Sequence, residues 1–216
     1  MSARSKQAMQ ATLLSRWKEA LTGRHGAREA ERIVARVRAR HRLLRKQEAG
    51  FMDRLSRFEH TELRDRVLPG LALYQVLREE GRRQTEAIEE VVHLLSLDFD
   101  RQHRILKLLH HLPWPFSLFK MLLRLQLRLF YSAQKVKIVE DNRRCFAFEV
   151  TRCLTHQVLS RHGAPELTVA YCRMDDILAE ALPPSIVWMR TGTLGEGATC
   201  CDFRYCRSDA VPKEEG

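Results

Sequence analysis

Five of the six cysteines lie in the last third of the sequence, between residues 146 and 207, together with several carboxylates and small turn residues. Cys153, Cys172 and Cys201 are candidate nucleophiles, because a cysteine becomes strongly nucleophilic once a neighbouring group stabilises its thiolate. Asp175 and Asp202 stand close to two of these cysteines in the chain and are candidate acid–base groups. The residue types therefore predict a site for thiol- or carboxylate-assisted chemistry in this part of the chain.

Short spacings indicate which of these side chains could act together. Residues three or four apart on a helix share a face, so Cys153 would lie beside His156, and Cys172 beside Asp175. The alternative interpretation is a buried cysteine next to a surface histidine, or a carboxylate that simply faces solvent. In a regular strand, Cys201 and the residue after it point to opposite faces and cannot share one pocket.

A glycine-rich tract, residues 191–197, precedes the last cysteines. It lacks the Lys-Ser/Thr ending of a phosphate-binding loop, so nucleotide binding is not expected. Its backbone N–H groups could instead contact a substrate carboxylate or a developing negative charge, although a plain hairpin connection is equally consistent with its composition. The candidate substrate-binding residues are Arg152, Arg190, Thr191, Thr193, Gly197 and Arg204.

A metal site is the weaker alternative. Cys153, Cys172, Asp175 and Cys201 could together supply thiolate and carboxylate ligands. Zinc ribbons, however, use close Cys-x-x-Cys pairs, which this sequence lacks. We therefore expect neither a cofactor nor a bound metal.

The elements that must position these residues change character near residue 142. Upstream, apolar residues recur at helical spacing, as with Ile88, Val91 and Leu95, and predict a mostly helical half. Downstream, we expect strands at 145–151, 185–190 and 199–207 and helices at 153–161 and 165–182. The predicted fold class is α+β, with the helical N-terminal half packed with a small antiparallel sheet and two helices of the C-terminal half.

The expected organisation has three parts. Residues 1–65 form an arginine-rich helical extension, and residues 208–216 form a flexible tail. Between them, residues 66–207 form the α+β domain, with a helical part at 66–135 and a sheet-containing part at 143–207. A chain of 216 residues is long enough for one core with such an extension.

The formal net charge of +10 is unevenly distributed, since residues 1–66 hold 17 Lys or Arg against 8 Asp or Glu. Such a block could attract nucleic acid or acidic lipid. Between residues 28 and 46 apolar residues are interspersed with the arginines at helical spacing, and aromatic residues for base stacking are missing, so we favour a solvated helix and do not expect nucleic acid as a partner. A basic interaction protein with a C-terminal scaffold stays as an alternative.

Membrane and redox signals are weak in the sequence. No stretch reaches the roughly 18 apolar residues that a bilayer crossing needs. The basic, apolar stretch at 116–131 would suit a membrane-surface helix, and a core-facing helix with basic side chains at its edge is the favoured interpretation. The polar N-terminus and six cysteines predict a cytoplasmic protein with reduced thiols. A homo-oligomer stays open.

The motifs resemble those of the L-2-amino-thiazoline-4-carboxylic acid hydrolase family over residues 66–207. The resemblance rests on five motifs in order: Thr151-Arg152-Cys153, Gly163-Ala164-Pro165-Glu166-Leu167, Cys172-Arg173-Met174-Asp175, Arg190-Thr191-Gly192-Thr193-Leu194 with Gly197, and Cys201-Asp202-Phe203-Arg204-Tyr205. The first 60 residues lie outside it.

This resemblance implies a hydrolase that opens a small cyclic amidine, converting a 2-amino-thiazoline-4-carboxylate to N-carbamoyl-cysteine. It implies a nucleophile among Cys201, Cys153 and Cys172, preferred in that order, with Asp175 and Asp202 as acid–base groups. Arg152, Arg190 or Arg204 would hold the substrate carboxylate. A non-catalytic small-molecule or metal-binding regulatory module is the alternative.

Overall fold

The computed structural model describes residues 3–130 and 132–211. The chain divides into two compact units, one made of the residues up to Leu55 together with His60–Asp98, the other of Ser56–Glu59 with the chain from Phe99 onward. The helices expected as a separate extension at 1–65 thus share a unit with the helical segment up to residue 98. Most of the expected tail, residues 212–216, lies outside the described residues.

The N-terminal unit consists of long helices. These are α1 (Ala3–His25), α2 (Ala27–Met52), α3 (Arg57–Glu62), which spans the unit boundary, α4 (Leu68–Glu79) and α5 (Gln84–Ser96), with a π-helical turn at Leu63–Val67. Pro69 lies in the first turn of α4, where proline is well tolerated, so the Leu-Pro-Gly sequence opens this helix.

The arginine-rich helix α2 is amphipathic. Its buried side carries Ile33, Val34 and Val37, which recur at helical spacing. On its other side Arg36 pairs with Glu79, the last residue of α4, and with Glu80, which caps that helix, at 2.8 and 2.7 Å. The arginines of α2 therefore help to hold two helices of this unit together.

The C-terminal unit combines helices with a four-stranded sheet. Its helices are α6 (Asp100–Leu108), α7 (Pro115–Phe130), α8 (Leu154–Arg161) and α9 (Thr168–Ala179), and its strands are β1 (Lys135–Asp141), β2 (Cys145–Arg152), β3 (Ile186–Met189) and β4 (Cys201–Arg207). The strand order is β1-β2-β4-β3, and all neighbours are antiparallel. This architecture confirms the α+β class.

One face of the sheet carries a core of aromatic and apolar residues. Phe148 of β2 and Phe203 of β4 stack with ring centroids 4.8 Å apart. Cys201 lies in the same cluster, opposite Val150 of β2. The core is covered by residues of the two preceding helices, namely Leu106, Phe116, Phe119, Leu123 and Leu127. The strand β4 therefore places Cys201 on the core face, as its alternation predicts.

Two of the six cysteines form a disulfide, so the expectation of reduced thiols is wrong for Cys145 and Cys206. They are direct partners in the β2–β4 register, with Cα atoms 4.1 Å apart. Because 61 positions separate them in the sequence, only the strand pairing reveals that they meet. The free thiols are Cys153, Cys172, Cys200 and Cys201.

In the part of the chain that the structure describes, no helix has both the length and the hydrophobicity that spanning a bilayer requires.

Candidate functional site

Three free thiols meet where α8, α9 and β4 approach one another. Cys172 lies on α9 and Cys201 begins β4, and their side chains are hydrogen-bonded. Cys153 precedes α8 and is near enough for its charge to interact with both. Chain segments far apart in sequence thus bring together the three cysteines that the sequence singled out.

The loop between β3 and β4 covers these thiols with backbone N–H groups. It contains a short 3-10 turn at Leu194–Glu196. The N–H of Leu194 donates to Sγ of Cys201 at 3.2 Å, and the N–H of Gly195 contacts Cys172. The Thr193 hydroxyl lies within reach of both the Cys172 thiol and the Glu196 carboxylate, 2.8 Å away, and can donate its one proton to either.

The thiol pair is electrically polarised. The pKa of Cys172 is lowered to about 7, first because the Cys201 S–H donates to its thiolate, then because Thr193, Arg190 and the Gly195 N–H stabilise the charge against burial. The pKa of Cys201 is raised, because its proton is held in the bond to Cys172 and because it is buried. Around pH 7 a large fraction of Cys172 is therefore thiolate, whereas Cys201 keeps its proton.

Cys153 is the less reactive neighbour. Burial raises the pKa of its thiol, and the backbone N–H groups of His156 and Thr155 at the start of α8 oppose that effect only in part. The His156 imidazole lies 3.1 Å from the Thr168 hydroxyl. The proposed pairing of thiol with imidazole is therefore replaced by a contact between Cys153 and the backbone at position 156.

Arg190 supplies positive charge beside Cys172. Its buried guanidinium donates to the Cys172 carbonyl at 3.2 Å, to Asp176 at 2.6 Å and to Asp175 at 3.3 Å. It also lies over the ring of Trp188, 5.5 Å from the centroid. These contacts fix the cation next to the thiolate.

Asp176 is a site residue that was not among the candidates predicted from the sequence. Besides Arg190 it accepts a hydrogen bond from Trp188 Nε1 at 3.2 Å. Asp175 and Asp176 are adjacent on α9, and their contacts depend on how β3 packs against that helix. The sequence alone therefore does not indicate which of the two binds Arg190 more closely.

Asp202 lies on the other face of β4 from Cys201. Its carboxylate accepts the backbone N–H of Thr191 at 3.0 Å, the Thr191 hydroxyl at 2.7 Å and the N–H of Gly192 at 2.7 Å. Burial alone would raise its pKa, but these donors prevail and lower it. Asp202 therefore anchors the start of the β3–β4 loop.

The remaining predicted residues lie around the site without joining it. Arg152 ends β2 in an exposed position opposite Lys135, and Arg204 pairs with Glu140. Gly197 ends the 3-10 turn with φ of 89°, a conformation that favours glycine. The structure thus assembles Cys153, Cys172, Cys201, Asp175, Arg190 and Thr193, and leaves Arg152, Thr191, Gly197, Asp202 and Arg204 outside.

The described residues contain no group of three or more His, Cys, Asp or Glu arranged to hold a metal ion. A surface cleft of about 400 Å³ lies at the α1–α2 junction of the N-terminal unit, where it is lined by His25, Gly26, Ala27, Arg28, Glu29 and Arg32. It contains none of the predicted site residues.

Comparison with known proteins gives one match. The family described as L-2-amino-thiazoline-4-carboxylic acid hydrolase matches residues 60–205, which include every cysteine of the thiol site. No curated protein and no solved structure is similar enough to this chain to match it.

Proposed function

Because the chain belongs to the L-2-amino-thiazoline-4-carboxylic acid hydrolase family, we propose that it hydrolyses 2-amino-thiazoline-4-carboxylate, or a closely related small cyclic amidine, to the N-carbamoyl-cysteine product. The observation that supports this reaction is the polarised pair of Cys172 and Cys201. It supplies a nucleophile and a proton donor side by side at neutral pH.

The first step uses Cys172. Its thiolate attacks the ring carbon that lies between sulfur and nitrogen, forming a carbon–sulfur bond to the enzyme. The negative charge leaves Cys172 and passes to the ring atoms. The N–H groups of Leu194 and Gly195 are the nearest fixed donors for that charge.

The second step breaks the ring carbon–sulfur bond and needs a proton for the departing thiolate. Cys201 can provide it, because the effect that raises its pKa most is the bond to Cys172. Once Cys172 has become a thioether, that bond no longer holds the Cys201 proton. The donor therefore becomes more acidic at the moment when the leaving group needs it.

Water completes the reaction. It attacks the enzyme-bound carbon, the carbon–sulfur bond to Cys172 breaks, and the carbamoyl oxygen comes from the water. One water proton returns to the Cys201 thiolate and the other stays on the nitrogen of the carbamoyl group, so both cysteines regain their starting states. The net change is the addition of one water to the ring.

Substrate recognition falls to the charged groups beside the thiols. The N–H groups of the neutral amidine complement Asp175, which is partly exposed and lies 3.3 Å from Arg190, against 2.6 Å for Asp176. A substrate carboxylate can in turn bind Arg190 in place of Asp175. Cys172 and Cys201 are only 9% and 5% exposed, so the 191–200 loop must shift to admit the ring.

The direct experiment is to incubate the purified protein with 2-amino-thiazoline-4-carboxylate and quantify N-carbamoyl-cysteine by mass spectrometry, with and without a chelator. We expect turnover that the chelator leaves unchanged and that Cys172→Ala reduces to background. Cys200→Ala is the matched control, since that free thiol adjoins Cys201 but belongs to none of the proposed steps.

Two results would contradict the proposal separately. Absence of product with folded wild-type protein would reject the substrate class. Product formation that survives in Cys172→Ala would keep the activity but reject this nucleophile.

A further inference from the structure

The outward side of α6, α7 and the segment that joins them is apolar. We call it the α6–α7 outer surface and define it by its exposed residues Ile105, Leu108, Leu112, Trp114, Met121, Leu122, Leu125 and Leu129. Scattered exposed apolar residues are ordinary, but eight within 25 positions on two consecutive helices and their connection are not. Such a concentration indicates a surface that meets something other than water.

This surface is separate from the side of α7 that builds the core. Phe119, Leu123 and Leu127 face the sheet. Leu122, Leu125 and Leu129 follow one another at intervals of three and four and form a second stripe, about half exposed. The fold does not need this second stripe, because the first already covers the sheet.

The charge of this region is predominantly basic, since residues 101–139 contain eight Lys or Arg and three His and no Asp or Glu. Lys120 and Arg124 of α7 are paired with Asp141 of β1. Lys107 of α6 and Arg128 of α7 are exposed and flank the apolar stripe. An apolar helix face bordered by basic side chains is typical of helices that lie in a membrane interface.

Trp114 lies between the two helices, flanked by Pro113 and Pro115, and 74% of its surface is exposed. A tryptophan in water is unusual for a folded chain, whereas at the headgroup level of a bilayer its ring is favourably placed. Trp114 would therefore anchor the tip of the hairpin.

We propose that the α6–α7 outer surface docks on an anionic lipid bilayer, lying in the headgroup region without crossing it. The apolar stripe and Trp114 would enter the interface, while Lys107 and Arg128 contact acidic headgroups. This surface is distinct from the thiol site, and the inference does not depend on the proposed hydrolysis.

A second copy of the chain is a poorer occupant. Pairing two such surfaces would bury apolar area, but it would also bring the basic residues of one copy near those of the other. Like charges at an interface oppose association. An anionic bilayer satisfies the apolar and the basic residues together.

The test is co-sedimentation of the full chain with vesicles of phosphatidylcholine alone and with phosphatidylglycerol added. We expect binding to the anionic vesicles, falling with salt, and a blue shift of tryptophan emission that Trp114→Phe removes. Leu122→Glu with Leu125→Glu should reduce the partition constant by more than about tenfold. Lys107→Glu with Arg128→Glu should reduce it about fivefold for each basic residue replaced.

Matched variants on α2 control for surface hydrophobicity and total charge. Leu43→Glu changes another half-exposed leucine, and Arg38→Glu with Lys46→Glu changes two exposed basic residues. We expect both to bind vesicles like the wild-type chain, and circular dichroism to show that every variant is folded. Loss of binding in the α2 variants rather than the α6–α7 variants would overturn the proposal. So would no vesicle binding, or a dimer in sedimentation that Leu122→Glu dissociates.

Discussion

Single residues around each sulfur determine which of the three thiols is stabilised as a thiolate. The order of preference predicted from the sequence was Cys201, then Cys153, then Cys172. In the structure the groups that stabilise a thiolate surround Cys172 instead, namely Cys201, Thr193, Arg190 and Gly195. Cys201 acts as a donor to its neighbour. Reactivity therefore follows from the donors around each sulfur.

Thr193 provides the first prediction. Its hydroxyl lowers the pKa of Cys172, so Thr193→Val should raise that pKa above about 7. The sign follows because a donor to the thiolate favours the deprotonated form, and its removal favours the thiol. At a fixed pH below 7 the thiolate fraction should fall roughly tenfold. The measurement is the rate of iodoacetamide alkylation of the Cys172 peptide between pH 5 and 10.

Thr191→Val is the matched control, because that hydroxyl donates to Asp202 in the same loop. We expect the alkylation midpoint of Cys172 to stay near pH 7 in this variant. A midpoint near 9 in the wild-type chain would show that Cys172 is not the stabilised thiolate.

At the scale of elements, the β3–β4 loop leads into the strand that carries Cys201 and packs against the helix that carries Cys172. Asp202 fixes the start of the loop through Thr191 and Gly192. Its 3-10 turn is fixed at the other end by Thr193 and Glu196. The loop therefore holds two N–H groups against two sulfurs, and its position determines the polarisation of the pair.

Gly195 is where this loop touches α9 most closely. A Cβ atom at this position would lie 3.1 Å from both the Thr168 side chain and the Val169 backbone nitrogen. Backbone cannot yield as a flexible side chain can, so Gly195→Ala should push the loop away from the helix. We expect turnover to fall by about 10- to 100-fold, since a displacement of this order misplaces the N–H groups.

Gly50→Ala is a suitable comparison, because a Cβ at that position in α2 meets no atom within 4 Å. It should leave turnover at the wild-type level. The prediction fails if Gly195→Ala retains full activity with its thermal unfolding temperature unchanged, because the loop would then tolerate the extra carbon.

Most elements, but not all their contacts, could be predicted from the sequence. The alternation of apolar residues identified β2 and β4, and β4 turned Cys201 to the core side as expected. β1 was missed, because it is an edge strand with mostly exposed residues, and a strand without a buried face has a weak pattern. The Cys145–Cys206 bond and the facing of Asp176 depend on strand register and packing, which periodicity in one segment does not contain.

For the molecule as a whole, the family match and the structural division do not coincide. The match begins at residue 60 and therefore includes His60–Asp98 of the N-terminal unit as well as the thiol site. Each unit has a tryptophan that contacts residues of that same unit. Trp17 is 1% exposed and donates to the Leu94 carbonyl at 2.9 Å, and Trp188 contacts Arg190 and Asp176. The two units can therefore be followed separately in one chain.

His41 makes the stability of the N-terminal unit depend on pH. The side chain is 5% exposed, with Nε2 3.0 Å from the Arg64 carbonyl, and burial lowers its pKa from 6.5 to about 4. Below pH 6.5 the unfolded chain binds a proton at His41, whereas in the folded chain His41 stays neutral until the pH approaches 4. The free energy of unfolding should therefore fall as the pH drops from 6.5 to about 4, by about 3 kcal/mol from this group.

The measurement is urea unfolding at several pH values in a variant that keeps Trp17 as its only tryptophan, with and without His41→Gln. Glutamine can still donate to the Arg64 carbonyl but does not titrate in this range, so it should flatten the loss of stability with acid. In a second background that keeps only Trp188, the His41→Gln substitution should make no difference if the units unfold separately. Equal acid sensitivity of the Trp17 transition with and without the substitution would mean that His41 is already protonated in the folded unit, and that its burial is compensated by charges such as Asp65.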